Sequence, residues 1–371
     1  MRRSEMSLSE ETHSEDGRTV TIHDVARHAG VSPMTVSRVI SRKVNVREPL
    51  KGKVLASIKA LNYTVNEAAR STRAGSTKVS IGILYSNPSA GYLNQILLGA
   101  LEETTRAGGQ LLLESCGGLQ SQKMAMERLI KQGVDGIILP PPLCDSAPTV
   151  HMLKREGIPV LALATAAPLE NVSAVRIDDF EAAAAMTRYL IELGHTRIGF
   201  IKGDPQHTPT LHRLRGYQSA MAEAGLAIDE SIVADGLFTY QSGLVAAEYL
   251  LSLPERPTAI FASNDEMAAG VISLCHGMRI RIPYDLSVCG FDDTPLATTI
   301  WPQITTIHQP LSEMGQAAVA TISDKIREVR EGKPVNPRQL ILEYSLQERA
   351  STGPVSRPEL FGIYEGGILP R

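Results

Sequence analysis

In the stretch IHDVARHAGVSPMTVSRVI, residues 22–40, Ile22, Val25, Ala26 and Ala29 keep helical spacing, and Val36, Val39 and Ile40 keep it again after a break. The residues left outside the second apolar set are Met34, Thr35, Ser37 and Arg38, with Arg42 just beyond them. They are short or flexible groups, most of them hydrogen-bonding, gathered near the start of one helix. Thr35 and Ser37 can reach a base or a phosphate, Arg38 can hold guanine through two hydrogen bonds, and Met34 can touch a thymine methyl. Side chains of that kind suit a helix that enters a major groove about 12 Å wide.

The elements that must position them are readable nearby. Gly30 tolerates the left-handed conformation that ends a helix. Ser32 can cap the next helix, and Pro33 fits its first position. Two short helices joined by a tight glycine turn make a helix-turn-helix. A third helix is predicted over 49–61, burying Leu50, Val54, Ile58 and Leu61 and exposing Lys51, Lys53 and Lys59. Segment 66–74, NEAARSTRA, is helix-capable but has almost no apolar face, so it reads as a linker that becomes helical only in context. Residues 1–17 read as a disordered tail.

Net charge over the 371 residues is −3, which hides a strong division. Residues 1–17 hold 2 basic and 5 acidic side chains, 18–78 hold 12 and 3, and 79–371 hold 23 and 32. A cationic module of net +9 is thus joined to an anionic body of net −9. The first suits a polyanion; the second limits non-specific adhesion to it.

From Lys78 onward the pattern changes. Apolar strands are expected at 79–86, 110–116, 136–140, 159–165, 174–178, 197–203, 259–264 and 287–293. Amphipathic helices, among them 94–107, 122–132, 180–193 and 215–224, lie between most of them. Buried, non-alternating strands separated by helices mean parallel sheets covered on both faces. Some 270 residues exceed one comfortable sheet, so two similar α/β subdomains are expected. Ligands of such sheets bind at the carboxyl ends of the strands, where YSNPSAGY, IKGDPQHT, FASND and GFDDT fall.

Other classes find less support. FDD and several histidines could serve as acids and bases, but the phosphate-loop, dinucleotide, nucleophile-elbow and HExxH signatures are missing. The cysteines Cys116, Cys144, Cys275 and Cys289 are widely spaced in or beside apolar segments and read as reduced fillers. No run reaches membrane-helix length, and the N-terminus carries no apolar signal core, so the expected compartment is the cytoplasm, at the nucleoid. Neither a cofactor nor a metal is expected.

TIHDVARHAGVSPMTVSRVI followed by ALNYTVNEAARS resembles the DNA-binding head of the lactose/galactose/purine repressor (LacI/GalR) family. GHTRIGF, RLRGY, FASNDEMAAG, DLSVCGFDDTPLA and PQITTIHQP resemble that family in the same order, so the likeness runs from Thr19 to Arg349. It implies a small all-α helix-turn-helix head, residues 18–65, and a hinge helix or linker, 66–78. Behind them it implies an α/β core, 79–349, of two parallel-sheet subdomains like a periplasmic binding protein. The expected lobes are 79–177 with 308–336, and 178–307 with 337–349, followed by a tail at 350–371. The implied assembly is a homodimer on a pseudo-palindromic double-stranded operator, with no membrane contact.

In the head, the resemblance places Thr21, Ser32, Pro33, Met34, Thr35, Ser37 and Arg38 at or near DNA, with Arg42, Asn45 and Tyr63 following. Pro33 and Met34 stand where half-site sequence is commonly decided. In the linker it implies contacts from Asn66, Ala69, Arg70, Thr72 and Arg73. Thr72 replaces the leucine that wedges between base steps, while Arg70 and Arg73 remain for phosphates or a narrow minor groove.

In the core, the resemblance puts Arg213 on the effector arginine, Asp292 on the effector aspartate, Asn264 on the asparagine of SND and Phe238 on an aromatic position. His207 joins them, with Tyr85, Tyr92 and Leu93 from the other lobe. Such a set suits a sugar: planar polar groups bind adjacent hydroxyls, and an aromatic face covers the C–H side of the ring. Ala164 and Pro209 depart from acidic and hydroxylic residues found in some relatives, which leaves the ligand open. The expected function is a repressor of a carbohydrate catabolic operon released by a small sugar. A co-repressor-dependent or dual regulator, and a sugar-binding protein or enzyme with no regulatory role, are the alternatives.

Overall fold

The computed structural model describes residues 21–41, 48–61, 78–86, 89–334 and 336–355. Two compact units divide near Glu67.

The first unit holds α1 (Ile22–Ala29), α2 (Pro33–Ser41) and α3 (Glu48–Ala60). Thr21 and Asp24 cap α1 reciprocally. Gly30, at φ 66°, ends it by returning its N–H to the last turn. Ser32 accepts from the Thr35 N–H at the start of α2. Val25, Ala26, Val36, Val39 and Val54 make the small core, with Ile22, Ala29, Ile40, Ile58 and Leu61 at its edge. Leu50, expected inside, is 40% exposed. It sits in the first turn of α3, which starts at Glu48, while the buried contacts come from Val54 onward. His28 and Ser57 tie α1 to α3 at 3.0 Å. Ser57 Oγ also lies 2.9 Å from the Lys53 carbonyl one turn earlier on α3.

The second unit is built on two parallel sheets. In the first lobe these are β1 (Ser80–Tyr85), α4 (Ala90–Arg106), β2 (Gln110–Ser115), α5 (Leu119–Lys131), β3 (Gly136–Leu139), α6 (Ala147–Arg155), β4 (Val160–Leu163) and β5 (Ser173–Arg176). The second lobe holds α7 (Asp179–Glu192), β6 (Ile198–Ile201), α8 (Thr208–Glu223), β7 (Val233–Ala234), α9 (Tyr240–Ser252), β8 (Ala259–Ala262), α10 (Asp265–Gly277), β9 (Ser287–Cys289) and α11 (Pro295–Thr299). The chain then crosses through β10 (Thr306–His308) to α12 (Leu311–Arg330), adds β11 (Gln339–Ile341) and crosses back to β12 (Ser345–Gln347). Sheet order is β11-β5-β4-β3-β1-β2 in the first lobe and β7-β6-β8-β9 in the second. Strands β3, β4, β6 and β8 are wholly buried, which is why their sequences show apolar runs rather than alternation.

The helices that cover these sheets approach one another closely because glycine stands at the crossings. A methyl at Gly99 of α4 would lie 1.9 Å from the Ser312 carbonyl oxygen of α12, and one at Gly243 of α9 would lie 2.3 Å from the Met267 carbonyl oxygen of α10. A side chain at either point would force two backbones apart.

Two boundaries differ from expectation. Segment 337–349 does not lie wholly in the second lobe: β11 pairs in parallel with β5 on the edge of the first sheet. Three residues of strand carry no readable period, and Arg338–Ile341 is bound there by its backbone rather than by an apolar face. The core also does not stop at Arg349. Ser351 exchanges backbone hydrogen bonds with Val288 and Gln303, its hydroxyl donates to the Val288 carbonyl, and the Val355 N–H reaches the Leu193 carbonyl. Residues 351–355 therefore belong to the second lobe.

Candidate functional site

The chain crosses between lobes three times, after β5, after β10 and after β11. The carboxyl ends of the central strands of both sheets face the cleft beside these crossings. A cavity of about 350 Å³, mouth included, is lined there by Ser89, Tyr92 and Pro141 of the first lobe. His207, Pro209, Arg213, Phe238, Asn264 and Asp292 line it from the second.

Arg213 sits in the first half of α8, and 4% of it is exposed. Its Nε donates to Asp179 Oδ1 at 2.8 Å and its Nη1 to the Ser263 carbonyl at 2.5 Å. Asp292 Oδ1 is 3.7 Å from Nη1. The guanidinium lies 3.6 Å from the Phe291 ring centre and 5.8 Å from that of Phe238. A planar cation is thus held between aromatic faces and two buried carboxylates. Burial raises the pKa of Asp179 and of Asp292, and the Arg213 charge opposes it at both. Burial, reinforced by Asp292, also raises Tyr92, which stays a neutral phenol. His207 is lowered chiefly by burial and is held as the neutral imidazole.

Asn264 is both cap and wall. Its side-chain oxygen accepts from the Met267 N–H at the start of α10, and its amide donates to the Phe238 carbonyl. Phe238 itself has φ 59° and Asp292 has φ 111°, strained values for residues with a Cβ. Strain of this sort costs on the order of 1–3 kcal/mol per residue and gathers where geometry serves function. The Phe238 ring is seated against Gly203, where a methyl would lie 1.9 Å from Cζ. Gly203→Ala is therefore expected to push the ring into the cavity. Ligand affinity should fall roughly tenfold, with a stability loss of about 1–3 kcal/mol, typical of overpacking. Calorimetric titration beside a thermal melt checks both.

Polar bridges join the lobes on two flanks of the cavity. Ser89 Oγ donates to Glu266 Oε1 at 2.7 Å. Asp145 accepts from Thr165 Oγ1 at 2.6 Å and from both N and Oγ1 of Thr208, at 2.9 and 3.0 Å. Asp145 and Thr165 belong to the first lobe, Thr208 to the second.

Six of the eight core residues expected at the ligand line this cavity: Tyr92, His207, Arg213, Phe238, Asn264 and Asp292. Tyr85 and Leu93 do not. Tyr85 ends β1, where its carbonyl accepts from Cys116, and Leu93 packs one residue past Tyr92 on α4. Pro209, where some relatives carry a hydroxylic residue, lines it as well, and Ser89 and Pro141 join it without having been singled out in the sequence. Ser89 stands in the polar segment that follows β1, and its capping position was the available signal. Asp179 lay at the start of a predicted helix with nothing to show that it faces Arg213. Among the described residues no group of three or more His, Cys, Asp or Glu could hold a metal.

In the first unit, Met34 projects from the first turn of α2 with 64% of its surface exposed, and Arg38 is exposed one turn later. Thr21 and Ser32 are engaged as helix caps, and Thr35 is hydrogen-bonded to Ser32 at 2.9 Å. Pro33 opens α2. Ser37 is helical, but its side chain lies outside the described set, as do Arg42, Asn45, Tyr63, Asn66, Ala69, Arg70, Thr72 and Arg73. No helix among the described residues is long and apolar enough to cross a membrane.

Comparison with known proteins agrees with this division. Residues 21–66 match the model of bacterial regulatory proteins, lacI family, and residues 187–352 match a periplasmic binding protein-like domain. The ribose operon repressor of Escherichia coli strain K12 is 35% identical over 335 residues, covering 89% of this chain and 99% of that one. The lac repressor dimer bound to operator and the anti-inducer ONPF superposes with a TM-score of 0.68 at 26% identity, covering 91% of this chain and all of that one. A LacI family regulator from Enterococcus faecium with bound ribose gives a TM-score of 0.67 at 26% identity, over 75% of this chain and all of that one.

Proposed function

This chain belongs to the lacI family of bacterial regulatory proteins, and on that premise we propose that an uncharged monosaccharide releases it from the operator of a carbohydrate catabolic operon. It is a DNA-binding repressor that works as a homodimer with a small-molecule effector, and it is not an enzyme. Its place of action, on this reading, is the nucleoid in the cytoplasm.

The observation that carries the choice of effector is the charge of the cleft. Asp179 and Asp292 are buried around a single guanidinium, and Asp145 and Glu266 stand at the lobe bridges. A phosphate ester would bring about 1.5–2 negative charges into a site whose one cation is already paired. Hydroxyl groups fit instead, since each can donate to a carboxylate and accept from the guanidinium. Phe238 would cover the apolar face of the ring, and His207 and Tyr92, both neutral, would take further hydroxyls. The ribose operon repressor and the ribose-bound regulator are consistent with a ligand of this size.

On the DNA side, Met34 and Arg38 are proposed to read base edges, with Pro33, Thr35 and Ser37 completing the contact. The linker residues Arg70 and Arg73 would serve phosphates. Closing of the lobes on the sugar would alter the spacing of the two linkers in the dimer and so loosen the grip. Leu98, Leu101 and Leu113 form an exposed apolar face on the first lobe that suits the second copy.

The test is fluorescence anisotropy on genomic fragments, with D-ribose, D-xylose, D-glucose, ribose 5-phosphate and hypoxanthine as additives. One neutral sugar should weaken operator binding about 5–150-fold, the usual range of such couplings, and the phosphate should not. Tighter binding would establish a co-repressor, and a response to hypoxanthine or to the phosphate alone would overturn the neutral-sugar reading.

A further inference from the structure

We infer that Gln309 is a positioning residue that carries the state of Asp292 to the lobe crossing, so that it governs release of DNA as well as sugar affinity. The inference rests on the cleft being the effector site. Gln309 follows β10 and precedes α12, at the point where the chain leaves the second lobe for the first. Its exposure is 2%, and it is absent from the lining of the cavity.

Three hydrogen bonds join this crossing to Asp292. Gln309 Nε2 donates to Asp292 Oδ1 at 2.7 Å, the Asp292 N–H donates to the Ile307 carbonyl at 2.9 Å, and the Gln309 N–H returns to the Asp292 carbonyl at 3.3 Å. Side chain and backbone of one cavity residue are therefore fixed to one crossing strand, at a φ of 111° that the residue would not choose alone. Arg213 approaches the same Oδ1, at 3.7 Å. That leaves Oδ2 as the oxygen a ligand hydroxyl would meet. When a ligand takes Oδ2, any rotation of the carboxylate pulls on the amide of Gln309 and hence on the segment that must bend as the lobes close. Arg213 is tied to a different crossing, the one after β5, through Asp179 at the head of α7, while its other partner Ser263 lies inside the second lobe. Gln309 is thus the side chain that joins the Asp292 carboxylate, which meets the ligand, to the backbone of the crossing after β10.

The experiment compares Gln309→Met, equal in length but without a donor, with Gln309→His, which offers a ring N–H. Sugar affinity and the ratio of operator Kd with and without saturating sugar are measured separately, using the neutral sugars named above. Gln309→Met should lose several-fold in sugar affinity, and at saturation its ratio should fall below about 3, against about 5–150 for the wild type. Gln309→His should recover part of both. A Gln309→Met protein that binds sugar less well yet keeps the wild-type ratio at saturation overturns the inference, because Gln309 then only shapes the pocket. In the unmodified protein, sugar should slow hydrogen exchange at the Asp292 and Gln309 amides; unchanged exchange there with sugar bound also overturns it. A wild-type protein indifferent to every sugar removes the effector reading itself, and this inference with it.

Discussion

An Arg213→Ala protein stays on its operator when sugar is added. The guanidinium is the cation of the cleft, and a ligand loses its charged donors with it. Each hydrogen bond to a charged group is worth about 1.5–3 kcal/mol. Loss of two lowers sugar affinity roughly 10²–10⁴-fold, beyond any practical concentration. Stability falls as well. Asp179 and Asp292 remain buried without their partner, and breaking a buried pair in this way costs about 3–5 kcal/mol. That is a large part of the 5–15 kcal/mol by which domains are ordinarily stable. The deficit is pH-dependent, with a definite sign. Burial already raises both carboxyls in the folded state, and removing Arg213 takes away the effect that opposes it. Carboxyls raised on folding add stability below their unfolded pKa and lose it as pH rises through the folded value. The melting temperatures of variant and wild type should therefore converge on moving from pH 7.5 to pH 5. Arg213→Lys, which keeps a charge but not the planar fork, should recover most of the stability and little of the sugar response. Equal melting temperatures of Arg213→Ala and wild type at pH 7.5 would contradict the structure.

A chain ending at Ala350 fails to fold its second lobe, whereas one ending at Val355 does not. Residues 351–353 enter the lobe beside β9. Val288 donates to the Ser351 carbonyl, Thr305 donates to Ser351 Oγ, and Thr352 Oγ1 is bonded to Thr305 Oγ1 at 2.7 Å. The Gly353 carbonyl lies 3.1 Å from His195 Nε2, and the Gly353 N–H donates to Ser287 Oγ. Truncation strands the buried amides of Val288 and Thr305 and disturbs a histidine whose pKa burial has lowered. Each buried group left without a partner costs about 1–3 kcal/mol, so the two amides together remove about 2–6 kcal/mol of the roughly 5–15 by which domains are stable, and the lost bonds of Thr352 and Gly353 add to that. Near-UV circular dichroism and limited proteolysis of the two chains separate the cases.

The elements that carry a period were legible in the sequence, and those that carry none were not. The buried runs of β1, β3, β4, β6 and β8, and the apolar stripe of α1 and α2, announce themselves because burial of a whole face demands them. β7, with two residues, and β10, β11 and β12, with three each, are too short for any period to show. They are defined by the partners that they meet. α8 begins at Thr208, seven residues before the predicted start, because TPTLHRL shows no apolar stripe although its proline suits a first turn. The site follows the same rule. Arg213, Asp292, Asn264 and Phe238 fall within recognisable segments. Asp179, Ser89 and Gln309 act only through contacts 34, 177 and 17 residues away in the chain, a relation that local pattern does not hold.

The winding of the core also fixes an order of synthesis. The three-helix unit is complete in the chain by about residue 67, but the first lobe waits for α12 and β11, and the second for β12 and residues 351–355. On the ribosome the part that recognises DNA therefore emerges long before the part that regulates it, and both regulatory lobes close within the same short interval of translation. An interrupted message yields a sound reader attached to two unfinished sheets with exposed apolar faces. Such a fragment invites chaperones and proteases before it can occupy an operator that no sugar could clear.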